Sequence, residues 1–319
     1  MTKFSNLIFD GNNLFWRATI KTLALQINPE EQQEIIYTKA ISLAFNMIDN
    51  KLKDFGYDNS KVYILFDNNQ SVINKRKEIS GGQYKHSRES SKVPKQLYAT
   101  LDLFHDLCKI YSDNFYTAYK VDLEADDLTQ VISNSFPEKE LNLFISADMD
   151  WARNINKNSH WHNWKEVVTP KVFFNKYKFH PIKDKICIYK AIHGDASDNI
   201  DNAIKNLPQK LLLEIVQHSD TLQDVYDYIS DDRFPKQWTK KFIENKEQLI
   251  TNWELVVFPV LDLTYGDIVE KSILNTPQLK RIYNIYNIPL EDRMIERKTS
   301  SMFGRKDATR TTNRKFNGN

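Results

Sequence analysis

Residues 6–10 read NLIFD, residues 61–67 read KVYILFD and residues 141–148 read LNLFISAD. Each is a short, mostly apolar run that ends on an aspartate: Asp10, Asp67 and Asp148. Runs that are apolar at successive positions suit strands buried on both faces, as in a parallel sheet. The intervening text has helical spacing. Residues 38–53 put Ile41, Phe45, Ile48 and Leu52 on one face, and residues 94–111 do the same with Leu97, Leu101, Phe104, Cys108 and Tyr111. Strand alternating with helix implies an α/β domain with right-handed crossovers. Ligands of such sheets bind beyond the carboxyl ends of the strands. A single aspartate there would be read as a helix cap. Three of them facing one crevice favour chemistry.

Outward from these strands the pattern changes twice. Residues 68–93 carry Lys75, Arg76, Lys77, Lys85, Arg88 and Lys92 against Glu78 and Glu89, with Gly81-Gly82 inside, and read as a mobile basic excursion. After residue 181 the strand pattern fades. Helices are expected over 182–192, 207–217, 222–229 and 239–249, with Pro208 in a first turn. Pro170, Pro181 and Pro235 are plausible breaks. The expected organisation is an α/β domain over 1–180, a smaller helical region over 181–296 and a basic tail over 297–319.

Three further stretches are acidic. Residues 121–127 read VDLEADD, 146–150 read SADMD and 194–198 read GDASD. With the strand-end residues they supply nine carboxylates: Asp10, Asp67, Glu124, Asp126, Asp127, Asp148, Asp150, Asp195 and Asp198. Nine cannot converge without compensation, because each ionised neighbour raises the next one's proton affinity. Divalent cations supply the missing charge, and an all-oxygen donor set suits magnesium or manganese over zinc. Two such ions can clamp a phosphodiester between attacking water and leaving oxygen. His160 and His162 in HWHNW lack an evident third ligand and read as packed or solvent-facing residues. No phosphate-binding P-loop and no G-x-S-x-G elbow is present.

Length and composition fit this picture. A chain of 319 residues with 41% hydrophobic and 27% charged residues can bury a real core. It has no run of 18 apolar residues, so no membrane span is expected. Cys108 and Cys187 sit in apolar contexts and read as buried free thiols, from which a cytosolic compartment is expected. From Arg297 onward, seven basic residues face one acid, giving +6 and leaving −4 on the remainder. Such a tail suits a polyanionic partner or is an idle solvated segment.

In order and spacing, DLEADD, SADMD and GDASDNI resemble the motifs of the 5′-nuclease (flap endonuclease-like) superfamily, which has a PIN-like fold. Within it, they are most similar to phage 5′→3′ exonucleases of the T-even ribonuclease H type. The resemblance runs from Asp10 to about Leu263. It implies a central, mostly parallel sheet flanked by helices, a helical arch over about 68–93 and a smaller C-terminal helical region. It also implies two magnesium or manganese ions held by the nine carboxylates, Asp195 and Asp198 serving the second. Arg17 falls where the family has an arginine near the scissile region. Tyr84, Lys85 and Arg88 in QYKHSR fall on the arch motif. From this follow a catalytic role for Lys85 and Arg17 and a nucleic-acid contact for Tyr84, Lys85 and Arg88, with Tyr84 stacking on a base.

One departure stands out. Relatives carry a glycine-rich helix-hairpin-helix turn that binds potassium, whereas here no glycine lies between Gly194 and Gly266. That turn and its potassium site are expected to be absent or rebuilt. The expected activity is metal-dependent hydrolysis of DNA or RNA:DNA at 5′ ends or flaps, as in primer removal during replication. A single-strand-binding protein or sliding clamp is a candidate partner of the C-terminal region. Two alternatives stay open: a PIN-type endoribonuclease, which would need no arch, and a non-catalytic nucleic-acid-binding relative, which should have lost carboxylates.

Overall fold

The computed structural model describes residues 2–24, 33–68, 70–86, 95–182 and 184–288. Its centre is a seven-stranded sheet of β1 (Phe4–Asp10), β2 (Gly56–Leu65), β3 (Phe115–Ala118), β4 (Asn142–Ile145), β5 (Ser159–His162), β6 (Val167–Val168) and β7 (Val269–Lys271), in the order β6-β5-β4-β1-β2-β3-β7. The five inner strands are parallel, and β6 and β7 close the two edges antiparallel.

The apolar runs are buried on both faces because alternate residues serve two cores. Leu7, Phe9, Val62, Ile64, Leu143 and Ile145 pack with the helices Gly11–Ala24, Gln33–Phe55 and Lys95–Tyr111. Ile8, Tyr63, Leu65 and Phe144 pack with the helix Ala125–Ser135 and the helices that follow β6. A one-residue slip would exchange the two sets, so register is fixed by both cores at once. The chain turns from β1 straight into a helix at Gly11. A side chain there would meet the Phe66 ring at 2.7 Å and the Leu65 carbonyl at 2.9 Å. Only glycine lets β1 and the segment after β2 approach so closely beside Asp10.

Between residues 181 and 256 the helices are Lys185–His193, Gln209–His218, Leu222–Ser230, Lys236–Glu244 and Lys246–Val256. The single helix expected over 239–249 is two helices meeting at Asn245, which caps both. They share a core with the sheet, through Phe144, Trp151, Ile188, Leu212, Ile215, Phe242 and Leu249. The chain then returns to the sheet edge, which the sequence pattern does not announce. β7 pairs with β3, and the helix Thr276–Ile285 lays Leu279 and Tyr283 into the core beneath Lys95–Tyr111.

The basic excursion is not free over its described part. Residues Gln70–Ile79 form a helix against Lys246–Val256, and Tyr84 is buried with Ile200 and Leu255. Arg88 and residues 297–319 lie outside the described residues. Cys108 and Cys187 are buried free thiols. Among the described residues no helix is long and apolar enough to cross a membrane.

Candidate metal centre

The strand-end aspartates meet where the sheet order reverses about β1. Asp10 accepts from the Asn13 backbone N–H at 2.8 Å and from Ser146 Oγ, just past β4, at 2.7 Å. Asp67 accepts from the Ala125 backbone N–H at 2.8 Å, so the segment after β2 is tied to the first turn of Ala125–Ser135. Glu124 caps that helix, and its own N–H donates to Asp127 Oδ2 at 3.0 Å. Asp148 caps the 3₁₀ turn Met149–Asn154 by accepting from the Asp150 N–H. Several of these carboxylates therefore cap helices and turns while keeping further lone pairs for a ligand.

Asp10, Asp67, Glu124, Asp126, Asp148, Asp150 and Asp198 line one cavity of about 450 Å³ together with Arg76, Lys85 and Lys190. Asp195 lines an adjoining cavity of about 860 Å³, to which Asp148 and Lys190 also contribute. Gly194, at φ +83°, makes the turn into Asp195. A side chain there would lie 2.6 Å from the Ile200 carbonyl. Asp127 is buried and lines neither cavity, its Oδ1 without a hydrogen-bond partner among the described residues. Glu124, Asp126 and Asp127 nonetheless offer oxygens within 4.8 Å of one another.

Three cations answer this charge. Lys85 Nζ lies 2.9 Å from Glu124 Oε1, and Arg76 pairs with Glu124 Oε2. Lys190, buried, bridges Asp150 at 2.6 Å and Asp195 at 2.9 Å. Neither Lys190 nor Arg76 is marked as a site residue by sequence; KAIHGD gives no signal beyond a lysine one helical turn before the acidic motif. Burial would raise the Asp195 carboxyl, but Lys190 and Ser197 hold it below the usual range. The others move up. Burial, then Asp67, pushes Asp10 to about 8. Burial pushes Asp67 and Asp150 to about 6 each, and burial with Asp127 and Glu124 holds Asp126 well above the carboxylate range. Oxygen donors with this much uncompensated charge, and no sulfur or imidazole among them, fit hard divalent cations.

One expected role needs correction. Tyr84 is only 1% exposed and its hydroxyl meets Arg76 Nη1 at 3.0 Å, so its ring packs inside the protein and is not placed to stack on a base. Arg17, expected to act on the substrate phosphate, packs on an aromatic ring. Its guanidinium lies 5.1 Å over the Trp164 ring. His160 and His162 are packed residues: His160 meets the Phe4 ring edge-on, and His162 is buried with Nδ1 accepting from the Trp164 N–H.

The raised carboxyls predict how the metal-free protein responds to pH. A group whose folded pKa lies above its unfolded value stabilises fully below the unfolded pKa, near 4. It loses that contribution as pH rises through the folded pKa. Asp10, Asp67, Asp126 and Asp150 act in this direction, over a window from about pH 4 to about 8, and Asp195 opposes them weakly. In chelator, melting at pH 8 should fall roughly 5–10 °C below that at pH 5.5, and magnesium at pH 8 should restore it. A chelated melting temperature that is flat with pH would mean that the protein's own cations already balance the site.

The model of the 5′-3′ exonuclease N-terminal resolvase-like domain matches residues 5–178. A 5′-3′ exonuclease of Mycoplasmopsis pulmonis (strain UAB CTIP) is 23% identical over 254 residues, which is 76% of this chain and 77% of the relative. Two bacteriophage T5 structures share the fold at 18–19% identity, each match covering 94% of this chain and 98% of the other. One is a flap endonuclease in a pseudo-enzyme-product complex with DNA and metal ions (TM-score 0.56), the other a 5′-exonuclease with zinc bound (TM-score 0.58). The chain belongs to the family of 5′-3′ exonucleases that carry this N-terminal resolvase-like domain.

Proposed function

We propose that this protein is a two-metal, structure-specific 5′-nuclease that hydrolyses phosphodiesters of DNA or RNA:DNA near a 5′ end or flap, in the manner of primer removal during phage-type replication. The observation that carries this reading is the single cavity lined, among the described residues, by seven carboxylates and only three cations. Asp10, Asp67, Glu124, Asp126, Asp148 and Asp150 would hold one magnesium or manganese ion, and Asp195 and Asp198 would complete the second site. When bound, the ions would supply Lewis acidity and an activated water. Lys85, fixed against Glu124 and by its backbone N–H on the Asp198 carbonyl at 3.0 Å, would present its ammonium to the phosphate oxygens. Lys190, bridging Asp150 and Asp195, would favour their ionised forms. Arg88 and the basic tail would add phosphate contacts, and the tail could dock on a single-strand-binding protein or clamp.

The T5 flap endonuclease crystallised with DNA and metal ions supports a nucleic-acid substrate. The test is a side-by-side assay of a 5′-labelled RNA:DNA hybrid and a 5′-flap DNA, with magnesium and with chelator. Magnesium-dependent release of short 5′ products from either substrate is expected. Cleavage that persists in chelator, or that occurs only within single-stranded RNA, would overturn the reading.

A further inference from the structure

Resting on that nuclease reading, we propose that Arg17, Lys21, Lys51 and Trp164 form a second nucleic-acid contact, a phosphate cradle on the flank of the metal centre.

Trp164 sits in the turn between β5 and β6, at φ +69°, a left-handed conformation that bulky residues rarely adopt. Its contacts hold it there. Its N–H donates to His162 Nδ1 at 2.9 Å, and its indole Nε1 donates to Asn13 Oδ1 at 2.9 Å. Asn13 in turn donates its backbone N–H to Asp10. The indole is thus tied to the metal centre through one residue. Strain of this kind gathers where a side chain is being aimed at something.

Around this ring the charge is the opposite of that in the cavity. Arg17 lies 5.1 Å and Lys51 Nζ 5.9 Å from the Trp164 centroid, so two cations share one indole. Arg17 Nε is buried without a hydrogen-bond partner among the described residues. Lys51 Nζ also lies 5.3 Å over the Phe55 ring, and its hydrogen-bond contact to His162 is a poor one. A backbone N–H can only donate, so His162 Nδ1 is the acceptor and a neutral ring carries its proton on Nε2. Lys51 Nζ stands 2.9 Å from that Nε2, so that two donors face each other. Lys21, exposed one turn beyond Arg17, adds its field to Lys51, and Asp54 is the carboxylate that opposes it. Partly desolvated cations beside a polyanion-cleaving centre, with hydrogen-bonding capacity left open, call for phosphate oxygens. The acceptors of a strand's backbone would relieve both the orphaned Arg17 Nε and the opposed donors of Lys51 and His162. The indole, with two cations near it, would stand as a planar wall beside that strand.

The test measures anisotropy of a labelled 5′-flap DNA in chelator across a salt series, for the wild type and for a Lys21→Gln/Lys51→Gln variant. Glutamine at 51 loses the charge and keeps a long polar side chain beside His162. Removing one phosphate-neutralising cation should lower the steepness of log affinity against log salt by about 0.7–0.9, so the double variant should drop by about 1.4–1.8. Its affinity should converge on the wild type near 1 M salt, and its turnover at saturating DNA should be unchanged. Parallel slopes, or a weakening that persists at high salt, would overturn the cradle. Should the double variant melt early, the exposed Lys21→Gln alone is read for half the slope change. Magnesium-dependent cleavage by the wild type reports separately on the nuclease reading. Slopes that drop without any wild-type cleavage would keep the cradle and end that reading, and cleavage with unchanged slopes would do the reverse.

Discussion

Asp10→Asn should reduce turnover on the order of 10³-fold or more, about 4 kcal/mol of transition-state stabilisation, while making the metal-free protein more stable. The two effects have one cause. Asp10 is buried at the end of β1, and burial together with Asp67 already pushes its carboxyl up to about 8. Ionising it in the absence of a cation is therefore costly, and each pKa unit corresponds to about 1.4 kcal/mol. The amide is nearly the same shape and can keep both local hydrogen bonds, accepting from the Asn13 N–H and donating to Ser146 Oγ. It cannot supply the negative oxygen that a hard divalent cation requires. In chelator at pH 8 the variant should melt a few degrees above the wild type, a shift worth roughly 1–2 kcal/mol. At pH 5.5 the difference should shrink, since the wild-type carboxyl is then protonated. Single-turnover cleavage and calorimetry read the two arms independently. A near-normal rate would remove Asp10 from the metal centre, and a destabilised variant would show that its charge supports the fold.

The sequence makes this constellation legible because buried parallel strands leave a simple trace: consecutive apolar residues with a polar stop. Asp10, Asp67 and Asp148 are visible that way, and all three converge on the cavity. β3, β5 and β7 leave weaker traces. Phe115–Ala118 (FYTA) and Ser159–His162 (SHWH) lack the apolar run that marks β4, and Val269–Lys271 is an exposed edge whose partner strand, β3, lies more than 140 residues earlier in the chain. Nothing local announces a pairing made over that distance. Charge partners are hidden for a related reason. A lysine in a helix has the same sequence appearance whether it is solvated or buried between Asp150 and Asp195, as Lys190 is. Tyr84 fails in the other direction. Its neighbours Lys85 and Arg88 suggest a solvent-facing strand contact, but the burial of its ring depends on Ile200 and Leu255, which no motif places beside it.

Lys85→Met should lower the maximal cleavage rate by roughly 10²–10³-fold and leave the substrate concentration at half-rate nearly unchanged. Lys85 Nζ is fixed 2.9 Å from Glu124 Oε1, and its backbone is fixed on the Asp198 carbonyl, so the ammonium is held in the carboxylate cavity. A cation aimed at oxygens whose charge grows during bond breaking contributes more in the transition state than in the bound substrate, which places the effect of removing it in the rate. A purely structural counter-ion to Glu124 makes a different prediction. Removing it would leave a less compensated carboxylate, lower stability and leave chemistry at saturating metal largely intact. The metal dependence separates the two further. Methionine removes a positive charge that competes with cations for Glu124, so the magnesium concentration at half-maximal rate should fall or stay level in the variant. Removal of a metal ligand would move it up. The measurement is a matrix of initial rates against flap DNA and magnesium, for wild type, Lys85→Met and Lys85→Arg, with arginine expected to recover part of the rate because it restores the charge without the same reach. A rate unchanged at saturating substrate, with only the half-saturating concentration raised, would make Lys85 a phosphate tether, and the cation acting on the reacting phosphate would then have to be sought in Arg76 or Lys190.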